Sequence, residues 1–216
     1  MAFSVSDQRF FITLLMRLTN RIKNILFKPR LEWEIIAAEN KSTQSLIFGY
    51  VLPLALIGAV AALIGWTVFG VDAIFVKLKG IRWGIYHAIN IVLTFTITIL
   101  IVSYSIDMLA PYFKSEKNIN QSAKLVCYSY TPVLLGTILS IFPSWTFIGY
   151  LFGLYGIYLW FLGLSPLKKT PEDKEVPYMV VSVILVIIVF VLVRALIDMV
   201  LRPLLGVDPL PELKLH

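Results

Sequence analysis

The chain has one cysteine and two histidines, and no glutamate stands inside its long apolar runs. Each shortage removes a class of function. A lone Cys127 closes no intrachain disulfide and builds no cysteine metal cluster, and His87 with the terminal His216 leaves little material for a zinc site. There is no His/Glu helix pair at zinc spacing, no Gly-x-Ser-x-Gly turn and no Walker-type glycine loop. Serines and threonines are present without a base paired to them. The expectation is a non-enzyme with no cofactor and no metal. Charge is scarce too. Charged residues make up 15% and hydrophobic residues 58%, against about 25% and 45–50% in soluble domains. A soluble fold of 216 residues could not hide that much apolar surface. A bilayer can, because lipid replaces water around it.

Five apolar runs, 46–69, 85–109, 125–142, 147–164 and 179–201, are long enough to cross a core of about 30 Å. The fold class is therefore all-α, a polytopic membrane helix bundle of about five spans preceded by amphipathic interfacial helices. Residues 1–44 form an N-terminal segment, 45–201 the spanning domain and 202–216 a short tail. In the first segment Phe11, Leu14, Leu15, Leu18, Ile22, Ile25 and Leu26 repeat at helical spacing, with Arg17, Arg21 and Lys23 on other faces. Such a helix lies in the membrane interface or packs on the protein's own bundle. Pro29 opens a second helix carrying Trp33, Ile36 and Ala37. Phe10–Met16 is short for a signal core and no cleavage pattern follows, so the first span is expected to direct insertion.

The net charge of +6 comes from basic residues in the short segments between runs. That pattern predicts topology signals and contact with anionic lipid, and no nucleic acid. With the N-terminus inside, thirteen Lys and Arg fall in inside segments and five outside, so the expected N-terminus is cytoplasmic.

Small and polar residues in the runs supply the candidate sites. Gly149, Gly153, Gly156 and Gly163 keep one stripe of the fourth run bare, and Gly58, Ala62 and Gly65 do so on the first. Bare stripes admit a close helix neighbour, within the monomer or in a dimer. Arg194 and Asp198 are one turn apart, a candidate intramembrane ion pair. His87 and Asn90, with Tyr130, Thr131 and Pro132, form a candidate polar patch. Pro132 frees a carbonyl that Ser129 or Thr131 can satisfy. After the fourth run, Lys168, Lys169, Glu172, Asp173 and Lys174, between Pro166, Pro171 and Pro177, form a candidate docking loop.

Several stretches resemble one family. Phe27-Lys-Pro-Arg-Leu-Glu-Trp-Glu-Ile-Ile-Ala-Ala-Glu39, Tyr130-Thr-Pro132, Pro143 and the run from Tyr155 through Lys-Thr-Pro-Glu-Asp-Lys174 are similar to bacterial Yip-domain (Ypt-interacting) membrane proteins, over about residues 27–200. The resemblance implies a five-span bundle with a cytoplasmic N-terminus, here in a bacterial inner membrane, and supplies no catalytic residues. The functional expectation is a non-enzymatic scaffold or adaptor that binds lipids and another membrane protein, or itself, and organises the bilayer. The alternative is a small transporter, channel or lipid-moving protein.

Overall fold

The computed structural model describes Met16, residues 18–73 and residues 76–207. Phe11, Leu14, Leu15, Arg17 and the tail from 208 to His216 lie outside the described residues. In chain order the elements are α1 (18–27), α2 (Pro29–Ala38), α3 (Thr43–Val68), β1 (Val71–Ala73), β2 (Val76–Leu78), α4 (Ile81–Phe113), α5 (Ile119–Ile141), α6 (Thr146–Lys168) and α7 (Glu172–Leu205). The segments α3 to α7 are each long and apolar enough to cross a membrane, α6 together with the tight turn Pro143–Trp145 that precedes it. The all-α, five-span expectation holds. The helices overrun the apolar cores read from sequence. α4 and α7 have 33 and 34 residues, about 50 Å at 1.5 Å per residue. The excess over about 30 Å of hydrocarbon goes into tilt or into ends that stand beyond it.

One element was not expected. Between α3 and α4 two three-residue strands pair antiparallel, Val71 opposite Leu78 and Ala73 opposite Val76. Gly70 and Gly80 bracket them at φ 68° and 125°, backbone that L side chains rarely adopt. Three residues are too few for an alternating pattern to register in sequence.

Proline shapes α3 and α5. Ahead of Pro53 the helix widens over Ile47–Val51, and the Leu52 amide bonds back to the Ile47 carbonyl. In α5 the helix breaks at Tyr130, before Thr131-Pro132. Pro132 has no amide to give the Tyr128 carbonyl, and the Thr131 hydroxyl supplies that bond at 2.6 Å. With its proton committed, Thr131 Oγ1 accepts from the Tyr50 hydroxyl at 2.7 Å, which ties α5 to α3. Ser129, the other candidate for that role, has a buried hydroxyl with no partner.

Helix packing is set by bare backbone. A Cβ on Gly58 would stand 1.9 Å from Thr137 Oγ1, and one on Gly65 would stand 2.1 Å from the Ser140 carbonyl, so α3 lies directly on the end of α5. Gly149 and Gly136 face each other across α6 and α5, each Cβ position 2.4 Å from the other's carbonyl oxygen. A Cβ on Gly156 would stand 2.7 Å from the Ser129 carbonyl oxygen. Gly84, not singled out from sequence, seats α4 on α3, where a Cβ would stand 2.7 Å from the Leu63 carbonyl oxygen. Gly58, Gly65, Gly136, Gly149 and Gly156 each seat a neighbouring segment of this chain. α5 is the central helix, 72% buried over its apolar window, and α7 is peripheral at 17%.

The N-terminal helices pack on the bundle. Ile25, Trp33 and Ile36 are fully buried, and Leu18, Ile22 and Leu26 pack against the same core. The Trp33 ring fills a notch over Gly163 of α6, 3.0 Å from that residue's Cβ position. Arg21 closes the bend between α1 and α2 by pairing with Glu32 and Glu39, its guanidinium 5.6 Å from the Tyr128 ring centre. The Tyr155 hydroxyl donates to the Leu26 carbonyl at 2.6 Å. The described part of the α1 stripe, Leu18, Ile22, Ile25 and Leu26, takes the bundle. Trp33→Ala should therefore lower stability in detergent by about 3–5 kcal/mol and open the Arg30–Leu31 bond to trypsin. Limited proteolysis followed by mass spectrometry checks this; an unchanged cleavage rate would mean that Trp33 does not hold the pair down.

Candidate functional site: charged clusters and a cleft inside the bundle

Three polar clusters lie among the spans. The first is at the end of the bundle where the 114–118 and 169–171 connections meet. Lys168 is fully buried and reaches Asp107 Oδ1 at 3.0 Å. It also donates to Ser122 Oγ at 2.7 Å. Asp107 further accepts from Ser122 Oγ and the Asn118 amide, each at 2.8 Å. The Glu116 amide meets the Lys168 carbonyl at 2.7 Å, and Lys169 pairs with Glu116 at 3.0 Å.

This arrangement revises the candidate docking loop. Lys168 ends α6 with its charge turned into the core, and Glu172, Asp173 and Lys174 form the first turn of α7. Only three residues, 169–171, connect the two helices. Three acids open α7, Glu172, Asp173 and Glu175, where the helix dipole favours them. That suffices to account for their presence. Asp107 was legible as an acid in an apolar run, but its partner stands 61 residues away, beyond any local pattern.

The second cluster surrounds Asp198, and it corrects the Arg194–Asp198 pair. The Asp198 carboxylate accepts from the Tyr86 hydroxyl at 2.7 Å and from Asn90 Nδ2 at 2.6 Å. Its ion pair, at 3.3 Å, is with Arg202. Arg194 instead donates to the Tyr150 hydroxyl at 2.9 Å. Both arginines are four residues from Asp198, and an acid N-terminal to its base is the better helical order. The two α4 donors hold the carboxylate on that side. A double-mutant cycle should show coupling of about 0.5–1 kcal/mol between Asp198→Asn and Arg202→Gln, and additivity between Asp198→Asn and Arg194→Gln. The opposite pattern would restore the original pair.

The third feature is a cleft in two parts. A polar chamber of about 120 Å³ is lined by His87, Asn90, Trp66, Thr146, Tyr150 and Arg194, among others. His87 stacks on Trp66 with ring centres 3.7 Å apart. Among the described residues, His87 Nε2 and Thr146 Oγ1 are buried there without a partner. A second, apolar groove of about 240 Å³ continues between α4, α5, α6 and α7, lined by Phe95, Trp160, Phe190 and the bare flank of Gly153 and Gly156. Val133 and Tyr150 line both parts. The proposed polar patch is thus divided. His87 and Asn90 belong to the chamber, Tyr130 lines the groove, and Thr131 and Pro132 form the α5 break. Tyr150 and Trp160 were not singled out from sequence, because they meet groups that other helices bring to the cleft, and Arg202 was passed over although it stands one turn from Asp198.

Among the described residues no group of His, Cys, Asp and Glu is placed to hold a metal ion. No curated protein and no solved structure gives a significant match to this chain. A scan against protein families matches the Yip1 domain over residues 23–194, from within α1 to Arg194. That match takes in the bend at Lys28-Pro29, the Tyr130 break, the glycine-seated α6 and the α6–α7 connection, and the chain belongs to the Yip1 domain family.

Proposed function

We propose that this membrane protein is a non-enzymatic scaffold that organises the bilayer by seating α1 and α2 in one leaflet's interface. The observation that carries this reading is the outer face of the bend. Phe27, Leu31 and Ile35 are 77%, 68% and 53% exposed on a helix pair clamped to the bundle. Lys23, Lys28 and Arg30 are exposed beside them, and among the described residues none of the three is in an ion pair. Apolar side chains flanked by free basic ones suit an anionic membrane surface. Because the clamp fixes the pair, little ordering entropy is lost when it inserts. The positive-inside pattern puts this end of the bundle in the cytoplasm, with Lys117 and Asp173, and Ser144 at the opposite face.

The test is reconstitution into anionic liposomes. Wild type is expected to shift the vesicle size distribution seen by cryo-microscopy, and Phe27→Ser with Leu31→Ser and Ile35→Ser to abolish the shift while the spans still insert. Equal distributions for both proteins would remove the scaffold reading. The transporter or lipid-moving reading draws on the cleft, and a solute-flux and lipid-flip assay on the same liposomes separates it.

A further inference from the structure

We infer that the cleft between α4, α5, α6 and α7 is a binding site for one anionic lipid, with its acid headgroup at Arg194 and an acyl chain along the groove past Gly153. The inference stands apart from the scaffold reading, which concerns the outer face of α1 and α2.

Charge supplies the first argument. Arg194, Asp198 and Arg202 lie on successive turns of α7, and the one carboxylate is taken by Arg202. Two cations to one anion leave a surplus positive charge, located at Arg194, whose bonded partner is the neutral Tyr150 hydroxyl. A charge at this depth is costly unless it is paired or reaches the interface. Beside it are further groups able to bond an acid's oxygens. Asn90 lines the chamber, as do His87 Nε2 and Thr146 Oγ1, which have no partner among the described residues.

Shape supplies the second. The chamber does not end at Tyr150 but continues into a groove whose walls are Phe95, Phe190, Val186 and the bare Gly153. Ile187 and Tyr150 on its rim are 57% and 43% exposed, so it opens sideways toward lipid rather than to either aqueous face. A polar pocket of surplus positive charge joined to an apolar groove complements an amphiphile with an acid at one end. A free inorganic anion would leave the groove empty, and a zwitterionic lipid would bring a second cation to a chamber that already holds surplus positive charge.

Gly153 gives a probe that spares the fold. Its Cβ position meets only Val133 Cγ2, at 3.3 Å, and no backbone, so a leucine there fills the groove. The full chain in mild detergent is titrated with phosphatidylglycerol, phosphatidylcholine or inorganic phosphate and read by native mass spectrometry. Wild type is expected to retain one phosphatidylglycerol at least about tenfold more tightly than phosphatidylcholine. Arg194→Gln should erase that preference, Arg194→Lys should keep most of it, and Gly153→Leu should weaken both lipids. Equal retention of the two lipids by wild type overturns the inference, as does a preference that survives Arg194→Gln. Displacement of the lipid by inorganic phosphate at comparable concentration, or no effect of Gly153→Leu, would mean that the groove takes no chain and would overturn it as well. If Arg194→Gln does not fold, the wild-type comparison and Gly153→Leu decide.

Discussion

Lys168→Met should lower stability in detergent by about 3–5 kcal/mol, because it leaves a buried carboxylate without its counter-charge. The Lys168 side chain has no exposure and that of Asp107 has 9%. Asp107 would keep its bonds from Ser122 and the Asn118 amide, but those dipoles offset only part of a buried negative charge. Asp107→Leu should be comparably damaging, since it strands the ammonium group. The double variant, Lys168→Met with Asp107→Leu, should recover most of the loss, because two apolar groups of similar volume need no partner. Thermal unfolding of the four proteins in one detergent gives the cycle. Losses that simply add would show that the two groups are not coupled, and the end of the bundle would then be held by the Tyr178 hydroxyl on the Ile106 carbonyl and the Phe113–Tyr178 stack.

The second large effect is expected at Gly149 and Gly136. A single added carbon at either must displace backbone, not a flexible side chain, because each Cβ position lies 2.4 Å from the other residue's carbonyl oxygen. Gly149→Ala should therefore lower stability by about 3 kcal/mol or more, at the upper end of overpacking effects. Gly153→Ala, one turn along the same stripe, should stay within about 1 kcal/mol, since only a valine methyl stands near. The contrast separates a stripe that is packed along its whole length from one that opens at Gly153 between tight contacts at Gly149 and Gly156. Equal melting temperatures for the two alanine variants would contradict the α5–α6 contact described here.

Much of this was open to reading from residues alone, for identifiable reasons. The five spans follow from run length and the scarcity of charge. The break at Pro132 and its repair by Thr131 follow from the missing amide, since the donor lies next to the freed carbonyl in the chain. The glycine stripe was visible as a bare face, but not which of its positions meets a neighbour: Gly149, Gly156 and Gly163 do so closely, and Gly153 meets only a valine methyl. What did not come through was pairing across helices. Arg194 and Asp198 satisfied a one-turn rule, yet the winning partner was chosen by Tyr86 and Asn90, more than a hundred residues away. Lys168 looked like part of a solvated loop because its neighbours are charged. The fold turns it inward toward Asp107, 61 residues earlier. The apolar repeat of α1 was visible, but which surface it would meet was not. Trp33 and the Gly163 notch decide that together, and neither signals the other in sequence.

The outer face of the α1–α2 bend is where the account is most exposed. A spin label is placed at Phe27, Leu31 or Ile35, and for comparison at Ala37, which packs against the core, in a Cys127→Ser background reconstituted into anionic bilayers. Collision rates with oxygen and with a water-soluble nickel chelate are then measured. The account predicts that positions 27, 31 and 35 collide with oxygen and are shielded from the chelate, while position 37 is shielded from both by the bundle. Free access of the chelate to 27, 31 and 35 would place that face in water and contradict a seat in the membrane interface.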